Sequence, residues 1–481
     1  MRAHGFPPAR HPFQKVGVNM LVFRKELTPS ALEEKTVSLS LSAAPRGESG
    51  KSGVLYPEEC LNFRAENGVL RGGAGTEIVL DKAALQGYVP SAAYLFGRGA
   101  AQKLVFFSEG GLYSLTLPEG GESGVPPARL GSAVFAAPPF ALPFVTAENG
   151  DVLLFSAPEG TYLYDGTDFS ALEDAPAATC GCVHYDRLFL ASASIPYRLH
   201  FSVPLDGSDW EHAYRAAGYV DLSPEHGEIT ALLPCGKKIY ALRGRGLTLL
   251  RAEGENAGFS AEPVPAAFGA VFENSAQCVG EHILFLASDG LYAFDGSEAK
   301  RCAAPWLAAA PPAASPACRS AVRGAYYVLS YLTASGARRT LFYDPAAEDG
   351  FLSDTDMSLP ACGEDGPLFF TADGALVRFT RESARAGAPL KKIWRSGSTR
   401  LGLGAGRKQL RRLTLVGKGN FKLTVEGEHA REKLVYALAA DGETNVQPLL
   451  KGRRFSVCVE SEDADCTLER LEVSAAILKE V

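Results

Sequence analysis

Short apolar runs recur along most of the chain, separated by glycine-containing polar turns. Seven of these runs align with one another, and they begin at Leu104, Leu153, Leu188, Ile239, Ile283, Tyr326 and Leu368. The intervals between successive runs are 49, 35, 51, 44, 43 and 42 residues. Repeats of roughly 40–50 residues made of short strands and tight turns are typical of four-stranded propeller blades.

The composition of the runs predicts that these strands are buried on both faces. LVFF at Leu104 and ILFL at Ile283 do not alternate between apolar and polar residues, so neither face is suited to water. Sheets of this kind can stack face to face around an axis, which leaves only short edges exposed. The seven copies predict a β-propeller of about seven blades, with six or eight as alternatives. We expect a strand within Leu61–Leu80 to complete the last sheet and close the ring.

The turns between the runs carry a second signal. Asp-Gly pairs at Asp289 and Asp373 lie between apolar runs and predict two-residue type I′ hairpins, in which both central residues have positive φ. The Asn-Gly pair at Asn67 is a further hairpin signal. Asp-Gly pairs at Asp165 and Asp295 follow the next strand of their repeats, where an aspartate is expected to bond to the turn's own backbone.

Different patterns flank the repeats. After the polar stretch Arg381–Pro389, about seven short segments of alternating character continue to the C-terminus, which is typical of a β-sandwich. The N-terminal residues are basic and interrupted by prolines, which fits either an arm packed on a neighbouring subunit or a disordered tail. Ala43–Gly53 is expected to be a flexible linker. We therefore divide this all-β chain into an N-terminal arm and linker (1–52), a β-propeller (53–385) and a C-terminal β-sandwich (386–481).

Charge is distributed unevenly along the chain. The net charge is −7, yet residues 391–433 contain twelve Lys and Arg against three Asp and Glu. A solvated sandwich face, an interface with an acidic protein and a contact with the DNA backbone each fit this excess. The residues predicted to contact a partner are Lys391, Lys392, Arg395, Arg407, Lys408, Arg411 and Arg412.

The sequence contains no pattern that predicts catalysis, a cofactor or a metal. Six cysteines lie shortly before the apolar runs, where strands converge on the axis, and they are interpreted as small packing residues: Cys180, Cys182, Cys235, Cys278, Cys318 and Cys362. Their spacing does not match a metal site. Gly50-Lys51-Ser52 ends a near match to a phosphate-binding loop, but Pro57 follows where a helix would be needed. We therefore predict that the protein is not an enzyme.

Membrane association and secretion are not expected. No run of about 18 apolar residues is present, and the N-terminal residues lack the apolar core of a signal peptide. The ten cysteines lack the close, even spacing of a disulfide scaffold, so we interpret them as free thiols in a reducing compartment.

Three stretches resemble parts of bacteriophage and prophage virion proteins built as β-propellers, such as the packaged-DNA stabilisation, head-to-tail adaptor group. They are Cys60–Val79, Ile393–Val425 and Lys451–Ile477. The resemblance implies a structural, non-enzymatic virion component made in the bacterial cytoplasm. It also implies other virion proteins as partners, together with further copies of the chain arranged in a ring.

Two other functions remain open from the sequence. Aromatic side chains exposed on one propeller face would favour a glycan- or receptor-binding module, with Trp210, Tyr292 and Trp306 as candidate ligand contacts. Packing between blades is the commoner role of such residues. A glycoside-cleaving enzyme would need a carboxylate pair near the axis, and the sequence does not single out a pair.

Overall fold

The computed structural model describes residues 34–45, 53–118, 125–210, 217–244, 246–251, 259–361, 366–428 and 433–478. Within these ranges the chain is all-β, as predicted, and its strands form eight sheets. The helical elements of the described residues are α1 (Ala304–Ala309) and three short 3₁₀ turns at Lys82–Leu85, Gly99–Ala101 and Pro224–His226. None of the helices in these ranges is long and apolar enough to cross a membrane.

Six strands precede the repeats. They are β1 (Glu34–Leu41), β2 (Val54–Leu55), β3 (Pro57–Leu61), β4 (Phe63–Glu66), β5 (Val69–Gly72) and β6 (Gly75–Leu80). The strands of blades one to three are β7 (Ala92–Phe96), β8 (Lys103–Ser108), β9 (Gly111–Thr116), β10 (Ala128–Arg129), β11 (Phe140–Thr146), β12 (Gly150–Ala157), β13 (Gly160–Tyr164), β14 (Phe169–Ala171), β15 (Ala178–His184), β16 (Arg187–Ser192), β17 (Arg198–Phe201) and β18 (Gly218–Asp221).

Four further blades complete the propeller. The strands of blades four to six are β19 (Ile229–Cys235), β20 (Lys238–Arg243), β21 (Gly246–Arg251), β22 (Ser260–Val264), β23 (Gln277–Val279), β24 (His282–Ala287), β25 (Gly290–Phe294), β26 (Ala299–Cys302), β27 (Arg319–Arg323), β28 (Tyr326–Leu332), β29 (Arg338–Asp344) and β30 (Asp349–Ser353). Blade seven contains β31 (Leu359–Ala361), β32 (Leu368–Phe370), β33 (Leu376–Thr380), the earlier β6, and the short β34 (Ala384–Arg385) and β35 (Ala388–Pro389). The described residues therefore form a seven-bladed propeller, within the predicted range.

The seven aligned runs coincide with the second strand of each blade, and both faces of these strands are buried. In blade one, Leu104 and Phe106 pack in one cluster with Leu376 of blade seven. Val105 lies on the opposite face of the same strand and packs with Phe155 of blade two. Each blade is thus covered on two sides by its neighbours, which is the physical reason for stacking in a ring.

Strand β6 closes the ring. It pairs antiparallel with β33, so that the fourth strand of blade seven comes from the N-terminal side of the propeller. The expected closing segment, Leu61–Leu80, is confirmed for its last six residues, Gly75–Leu80.

Four of the five described cysteines that were predicted for innermost strands lie on them. First strands of neighbouring blades contact one another around the axis. Cys180 and Cys182 lie on β15, Cys235 on β19 and Cys278 on β23, whereas Cys318 directly precedes β27. Cys362 lies outside the described residues.

The predicted turn geometry is right in one place and wrong in two. Asn67 and Gly68 have φ of 52° and 79°, as a type I′ hairpin requires. Asp289 and Asp373 do not have positive φ, so the expected type I′ hairpins are wrong there. The loop after β24 is instead Ser288-Asp289, one residue earlier than predicted, because β25 already begins at Gly290.

The C-terminal domain is a nearly closed, sandwich-like sheet. Its remaining strands are β36 (Lys392–Ser396), β37 (Lys408–Glu426), β38 (Lys433–Val446), β39 (Lys451–Gly452), β40 (Ser456–Ser461) and β41 (Thr467–Ile477). The long β37 pairs with β41 through its first half and with β40 through its second half, so it passes from one layer to the other. One core, centred on Trp394, Leu413 and Leu471, fills the space between the layers.

The predicted N-terminal boundary is wrong where the chain is described. Strand β1 pairs with β41 from Glu34–Ala476 to Ser40–Arg470, and β3 pairs with β36. Leu39 and Phe63 are part of the sandwich core. The alternating segment around β1 is therefore a sandwich strand, because its apolar face needs a sheet partner that only the other end of the chain supplies. Residues 1–33 and 46–52, with Gly50-Lys51-Ser52, lie outside the described residues.

Candidate functional site

The basic segment of the sandwich separates into buried, paired and free cations. Lys392 and Lys408 are fully buried, each with 0% exposure. The Nζ of Lys392 donates to the Leu390 carbonyl at 2.8 Å. The Nζ of Lys408 donates to the carbonyls of Gly404 and Arg453 at 2.9 and 2.8 Å. Burial lowers the pKa of both amines. The prediction that these two lysines contact a partner is therefore wrong.

The alternation of buried and exposed positions along a strand could have identified these two lysines as buried from the sequence alone. Alternate residues of a strand point to the same face. Lys392 lies two positions before Trp394, and Lys408 lies two positions before Leu410, and both of those apolar residues are fully buried. The lysines therefore share the core-facing side of β36 and β37, where their amines reach backbone carbonyls at the edge of the core.

Two other predicted contacts are neutralised inside the sandwich. Glu460 accepts from Lys391 at 2.7 Å and from Lys422 at 2.8 Å, and these two ammonium groups lower the pKa of its carboxyl. Arg395 pairs with Glu59 of β3 at 3.4 Å. These ion pairs connect strands of the domain, so the cations contribute less to a free positive surface than the charge count suggests.

Four arginines remain unpaired with any carboxylate among the described residues, and we name them the arginine rim. The rim consists of Arg400, Arg407, Arg411 and Arg412, in the loop before β37 and at its start. Arg400, Arg407 and Arg412 are exposed and Arg411 is half-buried. The buried amine of Lys408 fastens the loop that carries Arg400 and Arg407 to the backbone beside β39. The loop part of the rim is therefore held in place, and the remaining two arginines lie on β37 itself.

The aromatic residues predicted to contact a ligand are mostly packing residues. Trp306 is 4% exposed and lies against Tyr343 with ring centroids 5.9 Å apart. Tyr292 is 7% exposed, and its hydroxyl donates to Asp289 at 2.6 Å. Trp210 is half-buried, and its indole N–H donates to the Gly207 carbonyl at 2.8 Å. The prediction of an exposed aromatic ligand surface is wrong for Trp306 and Tyr292, because each fills a space inside or between blades.

The repeated aspartates organise turns, as expected. Asp165 accepts from the backbone N–H groups of Thr167 and Asp168 at 2.8 and 2.7 Å. Asp295 accepts from those of Ser297 and Glu298, each at 2.9 Å. The pKa of the Asp295 carboxyl is lowered most by the Ser297 hydroxyl, which donates to it at 2.7 Å, and then by these backbone bonds, whereas the backbone bonds are the main cause of the lowered pKa of Asp165. A general acid needs a raised pKa, so the environment of these two carboxyls does not prepare them for that role.

A cavity beside blade four offers little chemistry. It has a volume of about 370 Å³ and lies beside blade four, with Arg243, Phe268 and Val271 in its wall. The Arg243 guanidinium is already bonded to the carbonyls of Ser223 and Gly227. No group of three or more His, Cys, Asp and Glu side chains able to hold a metal occurs among the residues with described positions.

The junction between the two domains depends on a residue that the sequence did not indicate. Asn62 lies between β3 and β4, is 0% exposed and has φ of 59°. Its side-chain amide donates to Asp354 at 2.9 Å and to the Lys391 carbonyl at 2.7 Å. Its side-chain oxygen accepts from the Ser353 hydroxyl at 2.9 Å and from the Asp354 N–H at 3.2 Å, while its own N–H donates to the Leu352 carbonyl at 2.9 Å.

These bonds fix the sandwich against the outer strand of blade six. An ion pair between Arg385 and Asp354 supports the same carboxylate. Leu61 and Ile393 of the sandwich pack with Leu352 of blade six in one apolar cluster. The sequence around Asn62 shows only an asparagine, which tolerates positive φ. Its role at the junction could not be predicted, because its partners in blade six lie about 290 residues further along the chain.

Comparisons with known proteins do not identify a family for this chain. No protein-family model and no curated protein matches the sequence. Among solved structures, BBS1N in complex with ARL6DN is similar at 13% identity and a TM-score of 0.42, over 63% of this chain and 95% of that one. BamB from Moraxella catarrhalis is similar at 11% identity and a TM-score of 0.39, over 66% and 94%. PorZ from Porphyromonas gingivalis is similar at 11% and 0.39, over 77% and 46%. Similarity of this extent does not indicate a shared function.

Proposed function

We propose that this chain is a non-enzymatic scaffold for protein–protein contacts, and that it serves as a structural component of a bacteriophage or prophage virion. The observation that carries the scaffold role is the pairing of β1 with β41, which joins both ends of the described chain in one sheet. The chain therefore leaves the sandwich and returns to it around the whole propeller. The propeller and the sandwich are thus joined by two covalent connections and a buried junction, which restrict the motion of one domain relative to the other more than a single linker does.

The arginine rim supplies the docking surface in this proposal. Its four cations have no carboxylate partner in the described residues, so their charge is available to a partner. The loop bearing Arg400 and Arg407 is already ordered by Lys408, so little conformational entropy is lost on binding. An acidic protein surface fits better than specific DNA, because the only α-helix within the described ranges, α1, has six residues and lies in the propeller.

The virion setting is supported by the sequence resemblance of Cys60–Val79, Ile393–Val425 and Lys451–Ile477. The first stretch contains Asn62, and the second contains Trp394 and all four residues of the arginine rim. These stretches thus supply the domain junction, the sandwich core and the proposed docking surface. Other virion proteins and copies of this chain in a ring are the proposed partners, and the bacterial cytoplasm is the proposed site of synthesis.

The virion proposal is tested in particles from an induced host strain that encodes the chain. Particles purified on a density gradient are analysed by quantitative mass spectrometry. We expect the polypeptide to co-sediment with capsid and tail proteins at a constant copy number. Its absence from intact particles would contradict the virion role.

The docking surface is tested by charge reversal in the same host. We expect the double substitution Arg407→Glu and Arg412→Glu to reduce incorporation at least about tenfold, because like charges then face an acidic partner. Arg251→Glu, at an exposed position of β21 in the propeller, is the matched control and should be incorporated normally. Equal incorporation of the double variant and the control would show that the rim is not the docking surface.

A further inference from the structure

Two cysteines from neighbouring blades meet at one end of the propeller axis. Cys235 is the last residue of β19 in blade four, and Cys278 is the central residue of β23 in blade five. The sulfur atoms of both lie near the Gly280 carbonyl oxygen, at 3.8 and 3.5 Å respectively. Each thiol perturbs the other, since Cys278 lowers the pKa of Cys235 and Cys235 raises the pKa of Cys278. The hairpin between β23 and β24 thus brings together two thiols from separate blades.

This pair differs from the other described cysteines in chemistry. Both residues are half-exposed, as Cys180 is, but the thiol pKa values of Cys60, Cys180 and Cys182 are raised mainly by burial. The neighbouring Cys278 thiol lowers the pKa of Cys235, and this effect outweighs burial and the carboxylate of Glu281, which act in the opposite direction. Cys235 is therefore the better nucleophile at neutral pH, because the thiolate is the reactive form.

We propose that Cys235 and Cys278 form a reversible disulfide that links blades four and five. The oxidant is a small disulfide such as oxidised glutathione. The Cys235 thiolate attacks one sulfur of that molecule, which forms a mixed disulfide and releases one small thiolate. The Cys278 thiolate then attacks the Cys235 sulfur, which forms the protein disulfide and releases the second small thiolate. Two protein thiols lose two electrons and two protons, and the small disulfide is reduced to two thiols.

The location of the pair gives the bond a structural consequence. In the reduced protein, blades four and five are held together mainly by packing between their apolar faces. A disulfide closes the segment from residue 235 to residue 278 into a loop and restricts the unfolded chain. Oxidation is thus expected to raise the unfolding temperature of the propeller without changing its strand pairing. This site is independent of the proposed virion role.

The test uses the full-length chain treated with oxidised glutathione, followed by alkylation of the remaining thiols and peptide mass spectrometry. We expect the loss of two of the ten thiols and a peptide that joins Cys235 to Cys278. Cys235→Ser and Cys278→Ser should each abolish this cross-link. Cys180→Ser, at a half-exposed position on the inner strand of blade three, is the matched control and should retain it.

A second measurement on the unmodified chain does not depend on the folding of any variant. The oxidised wild-type protein should unfold at a higher temperature than the reduced protein, and dithiothreitol should reverse the difference. The proposal is overturned if Cys235 accumulates as a stable glutathione adduct, or if either cysteine is linked to a different cysteine instead.

Discussion

The propeller and the sandwich are both built from antiparallel strands, but they differ in how far apart the paired strands lie in the sequence. In blade five, β24 pairs with β23 before it and β25 after it through short turns. In the sandwich, Glu34 of β1 is paired with Ala476 of β41. Six blades are thus assembled from local hairpins, whereas the sandwich requires the two ends of the described chain to meet.

This difference predicts where the molecule is vulnerable. A weakened hairpin affects its own blade and the two blades packed against it, because the blades are separate sheets that contact only their neighbours. The sandwich depends on strands from residues 34–80, and so does the pairing of β6 with β33 that closes blade seven, which we call the seam. Non-local pairing also costs more chain entropy before any contact is gained. The described residues between positions 34 and 80 should therefore control the stability of both domains.

The largest effect is expected from removing the N-terminal strands. A chain that begins at Asp81 lacks β1 to β6, so the ring is open and the sandwich loses strands on both sides of its core. We expect no cooperative thermal transition by circular dichroism. A chain that begins at Glu34 keeps every described residue and is the control. Cooperative melting of the shorter chain near the control temperature would contradict the shared role of these strands.

Asn62→Ala should have the next largest effect, because it uncouples the two regions. Loss of the side-chain amide removes the hydrogen bonds from the Ser353 hydroxyl and the Asp354 N–H, which costs about 1–3 kcal/mol. Alanine at φ of 59° adds about 1 kcal/mol. Asn62→Gly retains the backbone freedom and should lose less than the alanine variant. Urea denaturation should show separate transitions for the two domains in both variants, and a single unchanged transition would argue against the junction.

Gly75→Ala tests the seam of the ring alone. A Cβ at Gly75 would overlap the backbone oxygens of Glu382 and Ala384, so β6 would have to move away from its position in blade seven. We expect destabilisation by about 1–3 kcal/mol in urea denaturation. Gly111→Ala in blade one meets the flexible side chain of Arg129 first and is the control, with an effect below about 1 kcal/mol. Equal stability of the two variants would mean that the seam tolerates displacement.

Glu460→Gln should have the smallest effect, and that effect should depend on pH. The folded carboxyl has a pKa below its ordinary value because Lys391 and Lys422 stabilise its charged form. Its contribution is therefore fully present above the unfolded pKa near 4.5 and is lost as pH falls through the folded value. We expect a loss of about 1 kcal/mol at pH 7 and a smaller difference at pH 3, measured by urea denaturation. A difference that is larger at pH 3 would contradict the assigned ion pairs.

The elements predicted correctly from the sequence are those formed by local interactions. The apolar runs at Leu104 and Ile283 identified the second strands of the blades, because hairpin neighbours supply both burial and hydrogen bonds nearby in sequence. The position of the loop at Asp289 was predicted wrongly by one residue. The Asp-Gly pair predicts a loop at Asp289-Gly290, whereas β25 already begins at Gly290 and the loop is Ser288-Asp289. The role of β1 was missed, because its partner lies at the opposite end of the chain.

The candidate site was predicted in part, for a related reason. Counting charges located the basic region but did not show which cations face the core. Alternation with Trp394 and Leu410 assigns Lys392 and Lys408 to the buried face, so that distinction was accessible from the sequence. The pairing of Lys391 with Glu460 was not accessible, because it depends on the antiparallel register of β36 and β40.

Hydrogen–deuterium exchange of the full-length chain, read by mass spectrometry, tests the joining of both chain ends most directly. We predict that the amides of β1 and β6 exchange as slowly as those of β37, since all three are paired strands in the folded protein. Exchange of β1 and β6 within seconds, while β37 remains protected, would show that the N-terminal strands are not part of either domain.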